Sequence, residues 1–258
     1  MKFRVYKALA RGVVLESVRR KDLWVVAILG FLILLASGAL GFFGVEGLQS
    51  FAKDLAASVL SLFSAVVAVL TSCRLLPEEI KQRTLYPLLA RPISRLDLLI
   101  GKLLGAVIVT WIAFLLLCIL TAVALTTFHV TFEPIMAQYV VAKMMGLVVL
   151  CAISLAFSTY MTPQAAATLS LILAFGSGVI VRGLVMAYAS SGAGIQWVFK
   201  LVAASLPQLG VFDLGGRAAN LSWSPVSTSV MLQLLAYMAM YSAAMVSLSW
   251  VKFRRQAV

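Results

Sequence analysis

The stretch C73-RLLPEEIKQRTLYPLLARPISRLDLLIGKLL-G105 decides how the chain is read, because it crowds acids, bases and three prolines between two long apolar runs. Residues 55–73 before it and 103–127 after it carry no charged side chain. A hydrocarbon core of roughly 30 Å is crossed by about 20 helical residues, each rising about 1.5 Å. Both runs meet that length, so the charged stretch is a connection at a membrane face.

Working outward, four further uncharged runs occur, at 23–43, 144–161, 165–181 and 230–250. The chain therefore reads as an all-α polytopic membrane protein with six transmembrane helices. Its 258 residues are 62% apolar and only 12% charged, against roughly 45–50% and 25% in soluble domains, which leaves no length for a soluble catalytic domain. The run 23–43 exceeds the apolar core of a signal peptide, and no A-x-A site follows it, so it reads as a retained anchor.

Orientation follows from the basic residues, which mark the cytoplasmic side. With both termini inside, sixteen Lys and Arg fall in the N-terminal segment, the quoted connection and the tail. Five, Lys53, Lys143, Arg182, Lys200 and Arg217, fall opposite. The net charge of +12 is thus distributed for headgroups, and no nucleic-acid partner is expected. Residues 1–22 read as an amphipathic interface helix, with Phe3, Tyr6, Ala10 and Val13 on one face and Arg4, Lys7 and Arg11 on another.

Between the fifth and sixth spans, residues 182–229 are apolar but broken by Lys200, Pro207 and Asp213. A full seventh span there would place the basic tail outside, so an outer interfacial or re-entrant segment is expected, with Trp197 and Trp223 as anchors. The second span bears a stripe of small residues, Ser58, Ser61, Ala65, Ala68 and Ser72, at spacings of three and four. Close helix contact is its expected use, and lining a substrate path the alternative.

Catalytic constellations are missing from the sequence. His129 is the single histidine, which excludes an HExxH metal site, and no metal is expected. There is no G-x-S-x-G nucleophile elbow. Gly101 and Lys102 do not complete a P-loop, since Leu103 follows where Ser or Thr is needed. No acid falls inside an uncharged run, which argues against a proton relay.

Within the quoted connection, Pro77 ahead of Glu78 and Glu79 suits the first turn of a new helix, with the acids at its positive end. Leu85, Leu88 and Leu89 supply an apolar face, and Pro92 ends the helix. Ser94 and Asp97 then form a capping-box-like pair opening the third span. The expected product is a cytoplasmic helix over 78–89, between spans two and three, exposed to a partner.

Residues 79–102 also resemble the signature of the type-2 ATP-binding cassette (ABC) transporter permeases, approximately E-x-x-x-G-T-x-x-x-L-L-x-x-P-x-S-R followed by G-K. Here Glu79, Thr84, Leu88, Leu89, Pro92, Ser94, Arg95, Gly101 and Lys102 match, while Arg83 stands in place of the glycine. The resemblance implies that 78–89 is a coupling helix that docks on a separate ATPase subunit through Glu78, Glu79, Arg83, Thr84, Leu85, Leu88, Pro92 and Arg95. It also implies a second permease subunit, as a homo- or heterodimer, export or flipping of a substrate, and a multi-pass place in a bacterial inner membrane among its lipids. ATP and Mg would reside on the partner, with no cofactor and no catalytic residue on this chain. A non-transporting anchor for an ATPase complex, and a channel or carrier without an ATPase, are the alternatives. No residue pattern selects the substrate.

Overall fold

The computed structural model describes residues 2–19, 28, 30–31, 48–81, 94–127, 134–190, 196–197, 201–202, 206–215 and 226–255. Among them there is no strand. The helices are α1 (Lys2–Arg19), α2 (Leu48–Lys81), α3 (Arg95–Thr127), α4 (Pro134–Tyr160), α5 (Pro163–Ser190) and α6 (Thr228–Arg255), with a 3-10 turn at Leu209–Phe212 before α6. Helices α2 to α6 each contain a stretch long and apolar enough to cross a membrane. The first expected span, 23–43, lies outside the described residues except Ile28, Gly30 and Phe31. Gly30 approaches Leu117 of α3 and Phe63 of α2.

The helices run well past the uncharged stretches that mark them in the sequence. The apolar segments extend over Lys53–Glu78, Arg95–Val123, Pro134–Tyr160, Pro163–Tyr188 and Thr228–Arg254. Lys53, Lys102 and Lys143 therefore lie on helices, and Lys53 and Lys102 are buried. Proline at the first position of α4 explains one extension: its missing N–H is an orphan there anyway, and its fixed φ already suits the helix.

Helix α4 is the hub, packing on α2, α3, α5 and α6. Lipid tails are as apolar as leucine, so close van der Waals contact rather than water exclusion holds such helices together, and small residues permit it. Ala142, Gly146, Ala152, Ser154 and Ala156 of α4 are buried, and Ser61, Ala65, Ala68 and Ser72 of α2 are buried with them. Trp111 of α3 donates its indole N–H to the Met144 carbonyl at 3.1 Å. Cys73, Cys118 and Cys151 are free thiols.

At the end of the bundle where α3 begins, four pieces of chain meet. Helix α1 lies on α3 so closely that a Cβ added to Gly101 would meet the Leu9 side chain at 2.6 Å, and one added to Gly105 would meet Val13 at 2.7 Å. Leu9, Ala10 and Val13 are buried there, while Lys7 and Arg11 are exposed. The Ser94 hydroxyl accepts the Asp97 N–H at 3.1 Å and donates to the Asp97 carboxylate at 2.6 Å, closing the cap of α3. Asp97 also accepts the Tyr6 hydroxyl from α1. Arg95 reaches the last turn of α6.

One expectation is corrected. The helix does not restart at Pro77: α2 continues through this proline to Lys81. Proline removes one i→i−4 bond and crowds the preceding turn, but Leu75 and Leu76 on its N-terminal side are buried in the core, and that packing keeps the backbone helical across it. Residues 82–93 lie outside the described residues.

Candidate functional site

Of the residues assigned to partner docking, Glu78 is half-buried in the last turn of α2, and Glu79 is on the same turn. The side chain of Glu79, and all of Arg83, Thr84, Leu85, Leu88 and Pro92, lie outside the described residues. Arg95 is placed inside the chain. Its guanidinium donates to the Phe253 carbonyl at 2.9 Å and the Arg254 carbonyl at 3.1 Å, and lies 5.7 Å from the Phe253 ring centroid. The last carbonyls of a helix have no intrahelical donor and carry the negative end of its dipole, so a guanidinium there satisfies both.

The small-residue stripe of α2 divides. Ser58 is exposed, whereas Ser61, Ala65, Ala68 and Ser72 face the interior. Ser61 leads to a polar cluster that no run of the sequence announces. Lys143 of α4 donates from Nζ to Ser61 Oγ at 2.6 Å and to Asp213 Oδ2 at 3.1 Å. Ser61 donates in turn to Asp213 Oδ2 at 2.9 Å. The Tyr139 hydroxyl, 3.4 Å from Ser61 Oγ, donates to the Ala57 carbonyl at 3.1 Å. Asp213 Oδ1 accepts the Gly215 N–H at 3.0 Å.

The depth of this cluster follows from helix rise. Lys143 stands about 14 Å along the axis from Pro134, and Gly146 about 18 Å, on a helix roughly 40 Å long. Helices α4 and α5 are joined only by Met161 and Thr162, so Ser190, where α5 ends, returns to the Pro134 end. Val226, just before α6, is there too: its N–H and carbonyl pair with the Gln138 amide at 2.8 and 3.0 Å. Between these points the chain dips about halfway down α4. Phe212, buried in the core, fills the notch left by Gly146, where a Cβ would stand 2.8 Å from the phenylalanine Cβ.

Asp213 is thereby carried to Lys143 from 70 residues away. Burial pushes the Asp213 carboxyl upward, but the Lys143 ammonium, the Gly215 N–H and the Ser61 hydroxyl outweigh it and hold the group below the usual carboxylate range. The pair is unequally covered, with 14% of the Lys143 side chain exposed and 39% of the Asp213 side chain. A cavity of about 60 Å³ lies beside it, lined by Ser61, Ala65, Lys143, Leu150, Ala174 and Phe212 among others.

On the other side of Tyr139 is a larger apolar cavity, about 480 Å³, bordered by Ala57, Leu60, Cys118, Thr121 and Val140 with Lys53 at its wall. Among the described residues no group of histidines, cysteines and acids could hold a metal ion. The chemistry available is that of a polar latch and two cavities in an apolar bundle. One sequence signal pointed to Lys143: Pro134 is nine residues upstream of it, at the start of an otherwise apolar run, and so marks a helix that includes the lysine. Nothing local pointed to Asp213 as its partner.

No curated protein matches the chain. The family described as ABC-2 family transporter protein matches residues 8–257. With nearly the whole length covered and five long apolar helices packed around α4, this multi-pass membrane protein belongs to the ABC-2 family of transporter proteins.

Proposed function

We propose that the chain is the membrane-spanning permease subunit of an ATP-driven exporter, working with a separate ATPase subunit that holds ATP and Mg. The family match across residues 8–257 carries this reading. The last turn of α2 and the connection that follows it, residues 78–89, are the docking element on the cytoplasmic side, where both termini also lie. Glu78, Glu79, Arg83 and Thr84 make its polar contacts, and Leu85 and Leu88 fill an apolar groove on the ATPase. Pro92 ends the element.

The wiring around Ser94 supports this assignment. The connection enters α3 at the Ser94 cap, two residues before which stands Pro92. Asp97 holds Tyr6 of α1, and Arg95 holds the end of α6. A push on the connection is delivered to α1, α3 and α6 together. Arg95, also assigned to docking, fixes α6 to α3 as well, so part of the load on it is mechanical.

Magnitudes set what the docking surface must contain. Inverting an inward-facing to outward-facing ratio from 1:99 to 99:1 takes about 5.5 kcal/mol of differential binding. An exposed ion pair supplies about 0.2–1 kcal/mol. Buried apolar contact is needed as well, which is the part given to Leu85 and Leu88. A second permease subunit, of the same or another sequence, completes the unit, and the exposed Phe175, Val179, Leu232 and Met240 on α5 and α6 meet it or lipid.

The test is purification of the tagged chain from its native membrane. A nucleotide-binding ATPase subunit should accompany it in stoichiometric amount and be lost when 78–89 is replaced by a Gly/Ser linker. Retention of the ATPase by that variant would refute the docking role.

A further inference from the structure

The segment that dips between α5 and α6 is held in three places by bonds of different kinds. At one end the Gln208 N–H donates to the Tyr237 hydroxyl at 3.0 Å, and at the other Gln138 clamps Val226 through both amide atoms. Those ties are neutral and attach to α6 and α4. In the middle the tie is ionic, Asp213 to Lys143 with Ser61 bridging.

Of residues 206–227 in this segment, 206–215 and 226–227 are described. Among the described residues 206–214 the one regular element is the four-residue turn Leu209–Phe212. Position is kept by Phe212 against Gly146 and the Tyr237 ring, by Leu209 in the core with Leu206 and Leu214 packed on it, and by the charge cluster. Directly beneath lies the 60 Å³ cavity, unfilled space walled by Ser61 and Ala65 of α2, Lys143 and Leu150 of α4, and Ala174 of α5. That volume admits water, and polar groups able to bind it are present. Across Tyr139 the 480 Å³ cavity opens between α2, α3 and α4.

An ion pair placed among apolar helices is a poor source of stability, because desolvation offsets its attraction. It is well suited to holding one of two arrangements, since both charges gain hydration when they part. We propose that residues 206–215 form a movable lid over a water path between α2, α4 and α5, latched shut by the Lys143–Asp213–Ser61 cluster with Phe212 as its plug. When Asp213 leaves Lys143, Phe212 withdraws from the Gly146 notch and the small cavity joins the aqueous phase at the Pro134 end. The lid rests on the reading of the chain as a transport subunit, but its test requires neither ATPase nor cargo.

The experiment uses the full chain in membrane vesicles, with Cys73, Cys118 and Cys151 replaced by alanine and one reporter, Ala65→Cys, on the buried cavity wall. A charged, membrane-impermeant methanethiosulfonate labels this thiol slowly while the lid is shut. Asp213→Asn and Lys143→Met should each raise the labelling rate by about tenfold, the effect of shifting the open fraction by the same factor. Ser61→Ala keeps both charges and should raise it about threefold, which preserves the test if either charge variant fails to accumulate.

A second reporter, Ala156→Cys, is buried away from the lid and should stay slow throughout. Unchanged Ala65→Cys labelling in these variants overturns the latch. So does an equal rise at Ala156→Cys, which marks a general loosening of the bundle.

Discussion

Lys143 reaches a carboxylate 70 residues along the chain, and the energetic consequences can be tested one side chain at a time. Removing either charge leaves the other in a partly covered site, so Lys143→Met or Asp213→Asn should cost about 1–3 kcal/mol, between the values for exposed and fully buried pairs. The double variant should be less destabilised than the summed single effects, as measured by thermal unfolding in detergent with a double-mutant cycle. The pH dependence has a definite sign. Asp213 is held below its ordinary value, so its contribution is complete above an unfolded pKa of about 3.9 and is lost as pH falls through the lower folded value. The groups facing it are Lys143, Ser61 and Tyr139. The stability that the Asp213 carboxylate contributes should therefore not fall as pH goes from 8 to 5, and a loss in that window that Asp213→Asn abolishes would contradict the assignment. The cluster was only half legible in the sequence. Hydropathy counting ends a span at a charge, which excludes Lys143 from the fourth helix. The pairing with Asp213 depends on a non-local dip of the backbone that leaves no periodic trace.

At the scale of the helix, the end of α2 and the start of α3 illustrate what local chemistry decides and what packing decides. The Ser94–Asp97 cap was readable from spacing alone: the Ser94 hydroxyl accepts the Asp97 N–H, and the two side chains bond to each other. The break expected at Pro77 does not form, because burial of Leu75 and Leu76 outweighs the proline. Arg95 matched a docking motif, yet its nearest carbonyls are those of α6. Arg95→Ala should fray the C-terminal turn of α6, at a cost of about 1–2 kcal/mol for a charge-assisted cap. Hydrogen exchange of residues 250–255 should accelerate while that of α4 stays unchanged. The α1–α3 contact depends on two missing Cβ atoms, and Gly101→Val with Gly105→Val should lift α1 away. Proteolysis near Arg11 in membrane vesicles should then become faster, with the remaining helices protected; unchanged cleavage would show that α1 is held by other contacts.

For the whole molecule, the proposed mechanism couples two distant features through rigid helices. At one end, the connection 82–93 leads into α3, which is tied to α1 and α6. Toward the other, the segment 206–215 covers a cavity between α2, α4 and α5. Helix α2 runs from the neighbourhood of the connection to Ser61 in the latch, and α4 links Lys143 to the bundle core. The layout of long apolar helices was legible because length is a strong signal in lipid, where each helix must satisfy its own backbone. Substrate identity was not, since the walls of both cavities are largely shared with ordinary helix packing. In the transport reading, Glu79→Ala should lower ATP-driven turnover or ATPase stimulation severalfold, while the amount of inserted protein stays the same.

In the transport reading, the connection between α2 and α3 faces the cytoplasm and touches an ATPase. The most direct measurement replaces Leu85 with a photo-crosslinking residue in the native membrane and identifies the adduct by mass spectrometry. A crosslink to a nucleotide-binding ATPase subunit is the predicted result. Modification of a cysteine at the same position by an impermeant reagent added outside intact cells, with no ATPase adduct, would contradict it.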